Sequence, residues 1–72
     1  MNNEFTSTEE RVIEALFKLD RFANANEVAK LANNMAWATA KKTLRGLWKD
    51  KKILEIKPIK GIRHYRIKKK LR

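Results

Sequence analysis

Apolar positions along this chain keep a helical rhythm as far as about residue 50 and a two-residue rhythm beyond it. Val12, Ile13, Leu16, Phe17 and Leu19 recur at the spacing that gathers side chains on one helix face, with Arg11, Glu14 and Lys18 opposite. Thr6-Ser7-Thr8-Glu9-Glu10 just upstream contains two overlapping capping boxes, Thr6 with Glu9 or Ser7 with Glu10. Their acids also suit the positive end of a helix dipole. A first helix is therefore predicted over about 8–20. Phe22-Ala23 is long enough only for a bridging strand. Asn24 with Glu27 caps a second helix over about 25–32, whose expected buried stripe is Val28, Ala29, Leu31 and Ala32. Asn33-Asn34 ends it, because asparagine tolerates left-handed backbone.

A third helix is predicted over about 36–50, with Met35, Ala40, Leu44 and Leu47 inward and Ala38, Lys41, Lys42, Arg45 and Lys49 outward. The two-residue alternation that follows predicts antiparallel strands over about 53–57 and 62–68, joined by a turn at Pro58-Ile59-Lys60-Gly61. A lone hairpin is unstable in water, so it is expected to lay Leu54, Ile56, Tyr65 and Ile67 on the helices. The fold class is thus mostly α with a small antiparallel hairpin, as a single domain over 1–72 with flexible ends at about 1–5 and 69–72. Cysteine is absent, so apolar burial alone must hold the fold. A core of this size yields a net stability of only ~3–5 kcal/mol.

Charge changes the picture more than size does. The net charge is +10, and it is segregated: residues 1–40 carry four bases and six acids, residues 41–72 fourteen bases and two acids. Such asymmetry points to a polyanionic partner, since solubility alone gives no reason to separate the signs. No apolar run approaches the ~20 residues of a membrane span, and Met1-Asn2-Asn3-Glu4 lacks the start of a secretory signal. A cytoplasmic location is expected. The first helix is amphipathic, but the acids on its polar face disfavour a membrane surface. Catalysis has no constellation to support it. Ser7 lies in a helix cap, His64 is the sole histidine, and the two glycines, Gly46 and Gly61, form no phosphate loop. Neither enzyme activity, a metal nor a cofactor is expected. So small a core also leaves no room for an effector pocket of ~300 Å³ or more.

The pattern Asn24-x-x-Glu27-Val28-Ala29-x-Leu31-Ala32, then Met35-x-x-x-Thr39-Ala40-x-Lys42-x-Leu44-x-x-Leu47, then Ile53-Leu54 resembles the winged helix-turn-helix of bacterial and archaeal regulators. The MarR-like and ArsR-like proteins are its best-known examples. The resemblance covers roughly residues 8–68. Small size, richness in lysine and isoleucine and the lack of cysteine also resemble the mini-regulators of archaeal viruses and plasmids, which would place the chain in a host cytoplasm. The chain departs from the regulator pattern at Ala36, where a capping Ser or Thr is usual, and at Lys52, where Gly often precedes the first wing strand.

The resemblance implies a sequence-specific binder of double-stranded DNA, a transcriptional regulator acting as a repressor, with helix 36–50 in the major groove and the wing over 53–68 on backbone or minor groove. By position it implies contacts from Trp37, Ala38, Thr39, Lys41, Lys42 and Arg45. The chemistry of the residues agrees for several of these. Arg45 can make a bidentate bond to guanine, Thr39 can meet a phosphate or a thymine methyl, and Lys41, Lys42 and Lys49 suit phosphates. Lys57, Lys60, Arg63 and His64 extend the cationic surface along the wing. Trp37 has two readings, buried against Ala40 or exposed toward DNA, while Trp48 is expected to cover the core under the wing. Regulators of this kind dimerise through flanking helices, so a monomer or weak homodimer is expected here. The alternatives are an RNA-binding or ribosome-associated protein, and a protein-interaction winged helix such as a polymerase accessory factor. The latter calls for a neutral outer face on the third helix, where this chain has Lys41, Lys42 and Arg45.

Overall fold

The computed structural model describes residues 5–71. Three helices, α1 (Ser7–Leu19), α2 (Ala25–Leu31) and α3 (Trp37–Lys49), precede an antiparallel hairpin of β1 (Leu54–Ile59) and β2 (Ile62–Ile67). The chain is mostly α with a small β-hairpin, in the layout of a winged helix. Element ends agree with the sequence-based bounds to within a residue or two, except at the hairpin turn.

Local chemistry accounts for each boundary. Of the two possible boxes at α1, Thr6 and Glu9 form the one observed: the Thr6 hydroxyl accepts from the Glu9 N–H, and the Glu9 carboxylate accepts from the Thr6 N–H. Asn24 and Glu27 make the same reciprocal pair at α2. Asp20 stops α1 in the left-handed region, and Asn33 and Asn34, both at positive φ, carry the chain from α2 to α3. At Ala36 no side chain caps α3.

The hairpin turn is tighter than its sequence implies. Pro58 and Ile59, read as part of the turn, belong to β1, and only Lys60 and Gly61 connect the strands. Both have positive φ, as a type I′ turn requires. Ile59 and Ile62 close this two-residue loop as a hydrogen-bonded pair, and such pairs alternate along the ladder. Pro58 therefore falls at a non-hydrogen-bonded position, where its missing N–H takes nothing from the sheet. The same parity turns the backbone N–H and C=O of Tyr65 away from β1, and both are hydrogen-bonded to Ala23, the bridging residue expected between α1 and α2.

One core joins all elements. Val12, Ala15 and Leu16 of α1, Ala23, Val28 and Ala32 around α2, Leu44 and Leu47 of α3, and Leu54, Tyr65 and Ile67 of the hairpin form a single buried cluster. Full burial of each large member contributes about 1.5–3 kcal/mol. Ile56 and Met35 pack against it half-buried. Leu31 is a correction: it is 43% exposed, not part of the buried stripe of α2. At 100° per residue it lies roughly 100° from the centre of the stripe set by Val28, Ala29 and Ala32. Phe17 stands about 140° from the buried face of α1 and is exposed for the same reason.

The far end, read as flexible from residue 69, carries a single 3-10 turn at Lys69–Leu71. The Lys68 N–H donates to the Ile53 carbonyl and the Lys69 N–H to the Glu55 carboxylate. Of the ends read as flexible, residues 1–4 and 72 lie outside the described residues, whereas Phe5 packs partly buried against the core. No helix among the described residues is long and apolar enough to cross a membrane.

Candidate nucleic-acid interface

The inward face of α3 is defined by Ala40, Leu44 and Leu47, all fully buried. The residues read as the outward face, Ala38, Lys41, Lys42, Arg45 and Lys49, are all exposed, and so are Trp37 and Thr39. None of the four cations takes part in an ion pair among the described residues; ion pairs there include Glu14–Lys18, Arg21–Glu27 and Asp20–Arg66. The charge of α3 is thus available to an external partner.

Trp37, Lys41 and Arg45, one turn apart from each other, line an open groove of about 600 Å³. Asn24 and Asn26 from the start of α2 form one wall, and Gly61, Ile62 and Arg63 from the hairpin tip form the other. The expectation that the chain has no room for a cavity of ligand size does not extend to this surface. The groove is open to solvent, and its lining combines the cations and amides with the apolar surfaces of Trp37 and Ile62.

The two readings of Trp37 resolve toward exposure: its side is 51% open, and the Lys41 ammonium sits 4.8 Å from the ring centroid. Trp48 packs half-buried on the core, edge-to-face with Tyr65, as its place under the wing predicts. Its ring also receives the Arg63 guanidinium at 5.5 Å and the Lys49 ammonium at 5.9 Å. Each such contact contributes about 0.5–1 kcal/mol at an exposed site, and the Arg63 contact ties the hairpin to the end of α3.

The wing residues do not all gather in one place. Arg63 joins Trp37, Lys41 and Arg45 in the groove, and Lys60 stands exposed in the turn. Lys57 and His64 pair across the strands on the opposite face of the hairpin. There Lys57 lies 5.8 Å from the Phe22 ring, and His64 Nδ1 meets the Ile62 carbonyl at 2.8 Å, as the donor of the Nδ1–H tautomer. Ala38, Lys42 and Lys49 lie along α3 outside the groove lining. Arg66 is structural, pairing with Asp20 at 3.1 Å and tying β2 to the end of α1. The Thr39 carbonyl accepts from the Thr43 hydroxyl, while the Thr39 hydroxyl makes no hydrogen bond among the described residues.

Asn24 and Asn26 are the groove residues that sequence reasoning missed. Asn24 was legible only as a helix cap. The available signal was the polar first turn of the shorter helix in a helix-turn-helix, which faces the same way as the start of its longer partner. No protein-family model matches the sequence, and no curated protein is significantly similar to it.

Proposed function

We propose that the protein is a sequence-specific binder of double-stranded DNA, a winged helix-turn-helix regulator that represses by occupying its site. The observation that carries this reading is the exposed, unpaired cationic face of α3, opening on the same groove as Arg63 of the wing. α3 is a single helix with its inner face sealed in the core, and a B-form major groove of about 12 Å admits one helix with its side chains. Arg45, midway along the free face, reads a guanine edge; Lys41, Lys42 and Lys49 neutralise phosphates. Asn24 and Asn26, at the start of α2, hold the neighbouring backbone.

Salt dependence and two substitutions test the reading. Neutralising about six phosphates gives a log–log slope of binding against salt near −5. Arg45→Ala is expected to relax preference at one base pair, by about 1–3 kcal/mol, whereas Lys42→Ala weakens all sequences alike. Equal, sequence-blind losses for the two would leave only non-specific coating of DNA. A second reading, binding of single-stranded nucleic acid, is favoured by the exposed Trp37 ring, on which an unpaired base can stack. Competition between a duplex and its separated strands discriminates: the primary reading requires the duplex to win.

A further inference from the structure

The hairpin ends in apolar side chains as well as charge. Ile59 and Ile62 are 38% and 54% exposed, and they face each other across the last pair before the turn. Pro58 beside them is exposed too. Among the described residues, neither isoleucine side chain belongs to the core cluster or to the apolar groups packed against it. Strand alternation turns Ile59 and Ile62 to the face opposite Leu54, Tyr65 and Ile67, which meet the core. A turn of this type needs positive φ at Lys60 and Gly61, but it makes no demand for isoleucine on either side. Two exposed cations flank the pair: Lys57, two residues along β1 on the same face, and Lys60 in the turn itself.

An apolar point flanked by positive charge matches the chemistry of a minor-groove wedge. The cations seat the tip on phosphates, and a branched aliphatic side chain enters between base pairs and unstacks them. The position fits as well. Gly61 and Ile62 line the same groove as Trp37, Lys41 and Arg45, so the turn stands at the rim of the free face of α3, although Ile59 and Ile62 belong to the outer face of the ladder. With α3 in a major groove, one phosphodiester strand runs through that groove and the tip meets the minor groove beyond it. A minor groove of about 6 Å is too narrow for a two-stranded ribbon. Insertion therefore widens the groove, which kinks the duplex away from the tip.

We infer that the Ile59–Ile62 tip is an intercalating wedge that bends the DNA on which α3 is seated. The inference rests on the reading of the chain as a duplex binder and adds to it an architectural role: the protein deforms its site, and does so most readily at pyrimidine–purine steps, which unstack at least cost.

Ring closure tests this without knowledge of the site. A linear duplex of mixed sequence, about 100 base pairs and so shorter than the ~150-base-pair persistence length, is closed by ligase only inefficiently unless it is bent. The wild-type protein is expected to raise the yield of monomeric circles by about tenfold or more, as kinks of about 20–90° do. Ile59→Thr combined with Ile62→Thr keeps β-branched, strand-forming residues, so the hairpin persists, which a circular dichroism melt verifies. This variant is expected to bind the same duplex within about tenfold of wild type, since the cations that dominate affinity remain, yet to leave circle yield at the protein-free level. Ile62→Leu, still apolar, retains closure. Binding by wild type without added closure overturns the wedge, and so does full closure by the double threonine variant. Absence of any duplex retention by wild type at low salt is a separate result, one that removes the underlying reading and the wedge with it.

Discussion

Glycine and lysine occupy each other's preferred positions at two points near the end of α3. Gly46 lies inside the helix, where glycine costs about 1 kcal/mol against alanine. A Cβ built there meets only the Asp50 carboxylate, at 4.0 Å, so no close approach of α1 requires the missing side chain. Lys52, by contrast, holds φ at 56° between α3 and β1, a backbone that costs a non-glycine residue roughly 1–2 kcal/mol. Gly46→Ala is expected to stabilise the fold by about 1 kcal/mol. Lys52→Gly is expected to stabilise it by less than the full strain, because the unfolded chain gains freedom. Urea midpoints at unchanged slope check both. Lys52 was legible as an anomaly because the winged-helix pattern carries glycine there. The open space beside Gly46 was not, since a sequence does not reveal what stands opposite a helix face.

Among the elements, α2 depends most on its cap, being only seven residues long. Glu27 closes the capping box with Asn24 and also accepts from the Arg21 guanidinium. The hydrogen bond from Arg21 holds the Glu27 carboxyl below its ordinary value against a smaller opposing effect of burial, and Glu27 in turn raises the Arg21 value. A carboxyl lowered in the folded state adds stability above its unfolded pKa and loses it as pH falls through the lowered one. Glu27→Gln keeps the cap geometry but not the charge. It is expected to melt below wild type at neutral pH, with the gap closing as pH drops through and beneath the usual carboxylate range; a gap independent of pH counts against the pair. The box at α2 was legible from Asn24 and Glu27 alone. At α1, Thr6 and Ser7 offered equal patterns, and only the helix register selects Thr6. The hairpin was misread locally for a similar reason: Pro58 signals a turn by composition, but its tolerance in β1 depends on pairing parity, which Lys60 and Gly61 set from outside it.

For the molecule as a whole, the charge segregation visible along the chain becomes a segregation in space around one core. Glu9, Glu14 and Glu27 of α1 and α2 are drawn into caps and ion pairs, while α3 and the hairpin tip present their bases outward. What the sequence does not display is the groove, because it is built from three separated segments. It exists only if the hairpin is held against the helices, through Tyr65 on Ala23, Arg63 on Trp48, and Leu54 and Ile67 in the core. Hairpin and helices are therefore expected to fold as one cooperative unit. Ile67, 2% exposed at the far end of β2, tests this. Truncating a buried isoleucine to alanine costs about 2–5 kcal/mol, comparable with the ~3–5 kcal/mol available to a domain of this size. Ile67→Ala is expected to reduce the helical signal in circular dichroism at 25 °C and to abolish duplex binding, although it alters no helix and no cation. Retention of full helicity with only the hairpin released would mean that the three helices fold alone and that the wing is an appendage to them.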